Sequence, residues 1–127
     1  MKVFDASAAL AVVFAEPGAE RAERLLDDGE AVISSVNHAE VVARLLERGM
    51  REAEADAVCD ALRLQVLPFT AAQARASGRL RPATRALGLS LGDRCCLALA
   101  QEHRGVQVVT AARLWKDLKG FKITLIR

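Results

Sequence analysis

The sequence has few of the residues that build disulfide frameworks or zinc sites. Its 127 residues include three cysteines, two of which, Cys95 and Cys96, are adjacent in the chain. An odd number of cysteines with an adjacent pair is poor material for disulfides, so we expect a reducing, cytoplasmic environment. No Cys-x-x-Cys pattern occurs, and the two histidines, His38 and His103, are isolated. The sequence therefore argues against a zinc site.

Aromatic residues and long apolar stretches are also scarce. The chain has no tyrosine, one tryptophan and four phenylalanines, so it lacks the aromatic platform on which many single-strand nucleic-acid readers stack bases. The tryptophan, Trp115, is expected in the core. No stretch is long and apolar enough to span a bilayer. The apolar run 8–15 after Lys2 is too short, and too closely preceded by Asp5, for a secretion signal.

Acidic residues are absent from residues 61–92, although the net charge of the chain is only +2. The same stretch carries five arginines: Arg63, Arg75, Arg79, Arg81 and Arg85. Most of the acids lie between residues 16 and 60, so opposite sides of the molecule could carry opposite potentials. Two interpretations remain open: a basic surface that contacts a polyanion, or an ordinary solvated helix.

Short apolar strands alternate with helices along the chain. The patterns predict strands at 2–5, 31–34, 66–68, 106–110 and 122–126, and helices at 6–15, 19–26, 36–48, 51–64, 93–102 and 113–118. Ser35 is the expected N-cap of helix 36–48, and an arginine-bearing helix should begin after Thr70 and break at Pro82. This order predicts one domain over residues 1–127, an α/β sandwich with a mainly parallel sheet. The last strand is free to run antiparallel.

Three acids lie at a strand end or in an early helical turn, and each has a structural interpretation. Asp5 follows the first strand and could cap the next helix. Glu40 is flanked by apolar residues, so we expect it on a buried face, where it needs a cation, an arginine partner or a way out to water. Asp93 could form a capping box with Ser90.

Together the three acids favour a metal site. Ligands of parallel sheets bind beyond the carboxyl ends of the strands, which is where Asp5 and Thr110 fall. If Glu40 and Asp93 converge there, their carboxylates supply the oxygen ligands that Mg²⁺ or Mn²⁺ prefers. Such a site can hydrolyse a phosphodiester without a covalent protein intermediate. Nucleophile elbows, phosphate-binding loops and dinucleotide-binding glycine motifs are absent.

Five stretches resemble, in order and spacing, the VapC-type toxins of the PIN-domain ribonucleases. They are VFDASAALAVVFAEPGAE, SSVNHAEVVARL, LSLGDRCCLALA, VVTAARLW and ITLIR, and they extend over nearly the whole chain. The resemblance implies a three-layer α/β/α fold and Mg²⁺- or Mn²⁺-dependent endoribonuclease activity. It assigns Asp5, Glu40 and Asp93 to the catalytic metal site and places Thr110 near the same cleft. It also implies a homodimer that a VapB-like antitoxin neutralises.

The chain departs from this family at one position. Where the family reads Thr-Ala-Asp-Arg, residues 110–113 read Thr-Ala-Ala-Arg, so Ala112 replaces the fourth acidic ligand. Asp117 lies well over a helical turn further on and is a poor substitute. Two functions therefore remain: an enzyme that works with three acids, or a module that binds RNA or antitoxin without cleaving. Retention of three mutually repelling acids favours the enzyme.

RNA contacts are expected to come from arginines that meet phosphate oxygens, because base-stacking aromatics are scarce. Arg94 and Arg113 follow Asp93 and Ala112 directly, so with Thr110 they are the candidate substrate-binding residues. The five arginines of residues 61–92 are further candidates.

Overall fold

Five parallel strands form one central sheet. The computed structural model describes all residues 1–127. The strands are β1 (Lys2–Phe4), β2 (Ala31–Ser34), β3 (Gln65–Leu67), β4 (Gln107–Thr110) and β5 (Lys122–Leu125). They lie in the order β3-β2-β1-β4-β5, and every neighbouring pair is parallel. The last strand, whose direction the sequence left open, is therefore parallel as well.

Seven α-helices connect the strands. They are α1 (Ala6–Val13), α2 (Ala19–Asp27), α3 (Ser35–Glu47), α4 (Glu52–Leu62), α5 (Ala71–Arg79), α6 (Arg81–Thr84) and α7 (Leu91–Gln101), with 3₁₀ turns at Arg85–Leu87 and Arg113–Asp117. The expected break at Pro82 is confirmed, because α5 ends just before it and Pro82 lies in the first turn of α6, where its missing amide hydrogen costs nothing. No helix combines the length and the apolar content that a bilayer crossing requires.

Successive strand residues face opposite sides of the sheet, and each side is covered by helices. Val3 and Val108 pack in a cluster that includes α7 residues and Trp115, which is buried as expected. Phe4 and Val109 face the other side, where they pack against α1 and α2. Burial of each such side chain stabilises the fold by roughly 1.5–3 kcal/mol. The expected three-layer α/β/α architecture is thus confirmed.

The helix that carries Glu40 begins one residue earlier than expected. Ser34 is its N-cap, with a side-chain oxygen that accepts a hydrogen bond from the Val36 amide at 3.2 Å. Ser35 accepts instead from the Phe69 amide at 3.0 Å, a contact to the loop that follows β3. The prediction of Ser35 as the cap was wrong because the extended backbone that a cap requires occurs at Ser34.

Candidate functional site

Asp5 lies at the carboxyl end of the central strand β1 and is only 4% exposed. Its Oδ1 accepts the Ala8 amide at 2.8 Å, so Asp5 caps α1, as one interpretation of the sequence held. The Ser7 hydroxyl lies 2.7 Å from Oδ1 and 2.8 Å from Oδ2. The Thr110 hydroxyl donates to Oδ2 at 2.6 Å. This buried carboxylate thus accepts hydrogen bonds from three donors, which is more than a helix cap requires.

Burial raises the pKa of Asp5 from its ordinary value of 3.8 to about 6. The hydrogen bonds from Thr110, Ala8 and Ser7 oppose this rise, and the negative charge of Asp93 adds to it. At neutral pH the Asp5 carboxylate is mostly ionised, at the cost of its lost hydration. A bound cation would offset that cost, which is the charge logic of a metal ligand.

Ser7 and Thr110 connect Asp5 to the turn that follows β4. Ser7 Oγ accepts the Ala111 amide at 3.0 Å, and Thr110 Oγ1 accepts the Ala112 amide at 3.0 Å. Thr110 is fully buried and its hydroxyl contacts Asp5, while its role towards substrate stays a prediction. Sequence reasoning did not assign Ser7 to the site. The available signal was a hydroxyl two residues after a strand-ending Asp.

Glu40 is exposed, so the expectation that it lies on a buried face was wrong. The buried residues of α3 are Asn37, Val41 and Leu45, which repeat every four positions and leave Glu40 beside that stripe. No arginine pairs with Glu40; the Asn37 amide donates to its Oε2 at 2.9 Å instead.

Asn37 and Gly92 hold α3 against the beginning of α7. The Asn37 side-chain amide, 1% exposed, donates also to the Gly92 carbonyl at 2.9 Å. A Cβ added to Gly92 would lie 2.1 Å from Glu40 Oε1, so the Glu40 carboxylate rests against the Gly92 backbone. Glycine at this position lets Glu40 approach the turn that carries Asp93. Sequence reasoning missed Asn37, although its position three residues before Glu40 on one helix was a usable signal.

Asp93 forms the expected capping box at the start of α7. Its Oδ2 accepts the Ser90 amide at 2.9 Å, and Ser90 Oγ accepts the Asp93 amide at 3.2 Å. The helix begins at Leu91, two residues earlier than expected. The partly buried carboxylate therefore lies at a helix N-terminus, where the helix dipole favours negative charge.

All three acids influence the pKa of one buried thiol, Cys96 of α7. Burial raises the pKa of Cys96 well above its ordinary value, and the negative charges of Asp5, Asp93 and Glu40 raise it further. As they are placed, however, no three His, Cys, Asp or Glu side chains form a group that could hold a metal ion. The fold therefore brings the three acids near the same thiol without assembling them into a metal-binding group.

The two candidate arginines differ in their surroundings. Arg94 is partly buried, and its Nη1 donates to the Ser77 carbonyl of α5 at 3.1 Å while its Nε has no partner. Arg113 is exposed at the start of the second 3₁₀ turn. Contact of either residue with substrate stays a prediction.

The fold is similar to several solved toxin–antitoxin structures. A chain of a toxin-antitoxin complex from Klebsiella pneumoniae matches with a TM-score of 0.74 and 20% identity over 100% of this chain and 98% of that one. A chain of DNA-bound VapBC from Salmonella typhimurium matches with a TM-score of 0.74 and 21% identity, over 100% of both chains. A chain of VapBC2 from Rickettsia felis, bound to a promoter DNA fragment, matches with a TM-score of 0.72 and 18% identity over 98% of this chain and 97% of that one. At these identities the similarity is one of fold.

No curated protein matches significantly. The model of the PIN domain matches residues 2–119, which is most of the chain. The chain therefore belongs to the PIN domain family.

Proposed function

We propose that this chain is a toxin of the VapC type, an endoribonuclease that requires Mg²⁺ or Mn²⁺ and hydrolyses RNA phosphodiester bonds. One observation carries the proposal: Asp5, at the end of the central strand, is a buried carboxylate with three hydrogen-bond donors and a pKa raised to about 6. A fold has little need of such a charge, whereas a metal site does.

The ligand chemistry of the three acids suits a hard divalent cation, although as placed they form no group that could hold one. Asp5, Glu40 and Asp93 would hold it, and a set of carboxylate oxygens is the ligand type that Mg²⁺ and Mn²⁺ prefer. Hydrogen bonds engage only Oε2 of Glu40 and Oδ2 of Asp93, so each side chain keeps an oxygen for another partner. When bound, the ion supplies an activated water and neutralises charge that develops on the leaving oxygen.

The protein side chains orient this donor set. Ser7 and Thr110 fix the Asp5 carboxylate from both of its oxygens, and Asn37 does the same for Glu40 from one side. Because Glu40 is exposed and held by one hydrogen bond, rotation of its side chain can change its distance from Asp5 and Asp93. No protein nucleophile is required. Thr110, Arg94 and Arg113 remain the proposed substrate-binding residues.

A protein partner belongs to the same proposal. The similar solved structures are described as toxin–antitoxin and VapBC complexes, and we extend this by proposing a VapB-like antitoxin and a homodimer for this chain. Leu91 and Leu114, large apolar side chains that are 60% and 68% exposed and each two residues from Asp93 or Ala112, are where we propose that the antitoxin binds.

Ala112 favours a second candidate, a PIN module that binds RNA or antitoxin and does not cleave. Its backbone is held beside Asp5 through Thr110, yet its methyl group supplies no ligand and packs against the cluster that contains Trp115. A site with three acids should hold its ion more weakly than a site with four. The two candidates differ in chemistry and share the same surface.

A cleavage assay separates them. The purified chain is incubated with a mixed pool of small RNAs in Mn²⁺ or in EDTA, beside Asp5→Ala and Ala112→Asp variants. Asp60→Ala, a change to an exposed acid on α4, is the matched control. Discrete Mn²⁺-dependent products that are lost only in Asp5→Ala support the nuclease. Cleavage only after Ala112→Asp supports the binding module. Cleavage that persists in Asp5→Ala contradicts the site.

A further inference from the structure

We propose that four arginines on α5, α6 and the following 3₁₀ turn bind the phosphates of an RNA strand beside the carboxylate site. We call them the arginine row: Arg75, Arg79, Arg81 and Arg85. This inference rests on the proposed function and deepens it, because it names the surface that would hold the substrate.

The arginine row is exposed and has no acidic partner. All four side chains are solvent-exposed, and the ion pairs of the structure use other basic residues. Arg63, which precedes the row in the same acid-free stretch, pairs with Asp27 at 2.5 Å. Of the five arginines in this stretch, Arg63 is therefore ion-paired and the four arginines of the row are not.

The row lies on the outer side of its helices. Gln73 and Ser77 are the buried residues of α5, and Arg75 and Arg79 each follow one of them by two positions, which places them on the opposite side. Arg75 and Arg79 are one turn apart, so their like charges weaken the helix by a few tenths of a kcal/mol. Arg79 lies in the last turn of α5, where its charge interacts favourably with the helix dipole, but helix stability does not explain Arg75.

The C-terminal end of helix α5 packs against the first turn of α7, which carries Asp93. Arg94, in the first turn of α7, donates to the Ser77 carbonyl at 3.1 Å, near the C-terminal end of α5. Near the N-terminal end of α5, the Gln73 side-chain amide donates to the carboxylate of Glu102 at 2.9 Å, and Glu102 lies just beyond the C-terminal end of α7. The two helices are therefore antiparallel. The C-terminal end of α5 therefore packs against the turn that carries Asp93, while the Arg79 side chain lies on the opposite, solvent-exposed side of that end.

An RNA backbone is the occupant that this charge pattern fits. A site of three carboxylates repels a polyanion, and a net charge of +2 gives little general attraction. Binding energy is therefore expected to come from positive charge outside the three acids. Every basic residue of the acid-free stretch 61–92 is arginine, whose guanidinium forms paired hydrogen bonds to a phosphate. Because aromatic residues that could stack on bases are scarce, contacts to the phosphates of the RNA backbone are the expected mode of binding.

The salt dependence of RNA binding tests the row. A fluorescein-labelled single-stranded RNA of about 20 nucleotides is titrated in EDTA, so that no metal-dependent cleavage occurs, at several salt concentrations. Log K falls with log[salt] by about 0.7 per phosphate contact, so four contacts give a slope near −3. The row variant changes all four arginines to glutamine. The matched control makes the same charge loss at exposed residues elsewhere: Arg21, Arg24, Arg104 and Lys119.

In the row variant, the slope of log K against log[salt] should fall most of the way to zero, and the affinity for RNA at low salt should fall at least tenfold. The control variant should keep both the slope and the affinity. Circular dichroism melting checks that both variants fold. Equal losses in the two variants would overturn the inference, because total charge alone would then explain binding. A second result would also overturn the inference: the row variant binds RNA normally but no longer binds a polyglutamate peptide. The row would then bind an acidic protein instead of RNA.

The inference and the proposed function can fail separately. Binding that depends on the row, in a chain that never cleaves with Mn²⁺, supports the inference and rejects the nuclease. Mn²⁺-dependent cleavage with a salt slope that the row variant leaves unchanged supports the nuclease and rejects the inference.

Discussion

Replacing Asp5 by asparagine should stabilise the folded chain at neutral pH, although it removes the residue on which the proposed activity depends. The two side chains have nearly the same shape. The asparagine oxygen can accept from the Ala8 amide and the Ser7 hydroxyl, as Asp5 Oδ1 does, and its amide can donate to Thr110 Oγ1. The substitution therefore keeps the hydrogen bonds from Ala8 and Ser7, reverses the direction of the one with Thr110, and removes the buried charge.

The magnitude follows from the pKa of Asp5. Because burial raises this pKa from 3.8 to about 6, the folded chain binds the proton more tightly than the unfolded chain does. The stabilisation that neutral Asp5 provides is complete below about pH 4 and is lost as pH rises through about 6. The loss at neutral pH amounts to about 3 kcal/mol. Asparagine makes weaker hydrogen bonds than a carboxylate, so we expect a net gain of about 1–2 kcal/mol at pH 7.5.

Thermal unfolding in EDTA at pH 4.5 and pH 7.5 measures the effect. One kcal/mol corresponds to about 4 °C in Tm for a chain of this size, so Asp5→Asn should raise Tm by several degrees at pH 7.5 and by much less at pH 4.5. Mn²⁺ at about 100 times its Kd should add roughly 2.7 kcal/mol to the unsubstituted chain and nothing to the variant. Asp60→Asn, at an exposed acid, should change neither value. An equal loss of stability at both pH values would show that the Asp5 carboxylate is purely structural.

Three further substitutions test the surroundings of Asp5. Ala112→Asp should increase Mn²⁺ affinity and RNA cleavage together, measured by calorimetry and product analysis; unchanged values would mean that position 112 does not face the ion. Gly92→Ala should change stability by less than about 1 kcal/mol, because the flexible end of Glu40 can move away. It should weaken Mn²⁺ binding, and unaltered binding would remove Glu40 from the site. Asn37→Ala should cost about 1–3 kcal/mol in urea unfolding, because it removes the buried amide that links α3 to the Gly92 carbonyl; a smaller cost would show that water replaces the amide.

The sheet was predictable because its strands are short, apolar and separated by helices. Residues 2–4, 31–34 and 107–110 are almost continuously buried, which is the pattern of parallel strands covered on both faces. Two details were not available locally. Ser34 and Ser35 are equally good caps by composition, and the choice depends on the Phe69 amide, which comes from a distant part of the chain. The direction of β5 depends likewise on its pairing with β4.

The site was predictable where its signals were local. Asp5 and Asp93 follow from a strand end and from a capping pattern, and both lie where these signals placed them. Glu40 was misjudged because the buried stripe of α3 begins with a polar residue, Asn37, which hides the apolar period. The partners of Ser7 and Asn37 include residues 103 and 55 positions away, so neither role is encoded in local sequence.

Helix capping and metal binding, which the sequence presented as alternatives for Asp5, are compatible in the structure. Capping uses Oδ1 to accept the Ala8 amide, and this contact fixes the carboxylate at the positive end of α1. Serine caps a helix about as well as aspartate does and would bury no charge. The aspartate is instead retained at a cost of about 3 kcal/mol in neutral solution. The helix does not require that charge, and this supports the proposal that Asp5 binds a cation together with Glu40 and Asp93, each of which keeps a free carboxylate oxygen.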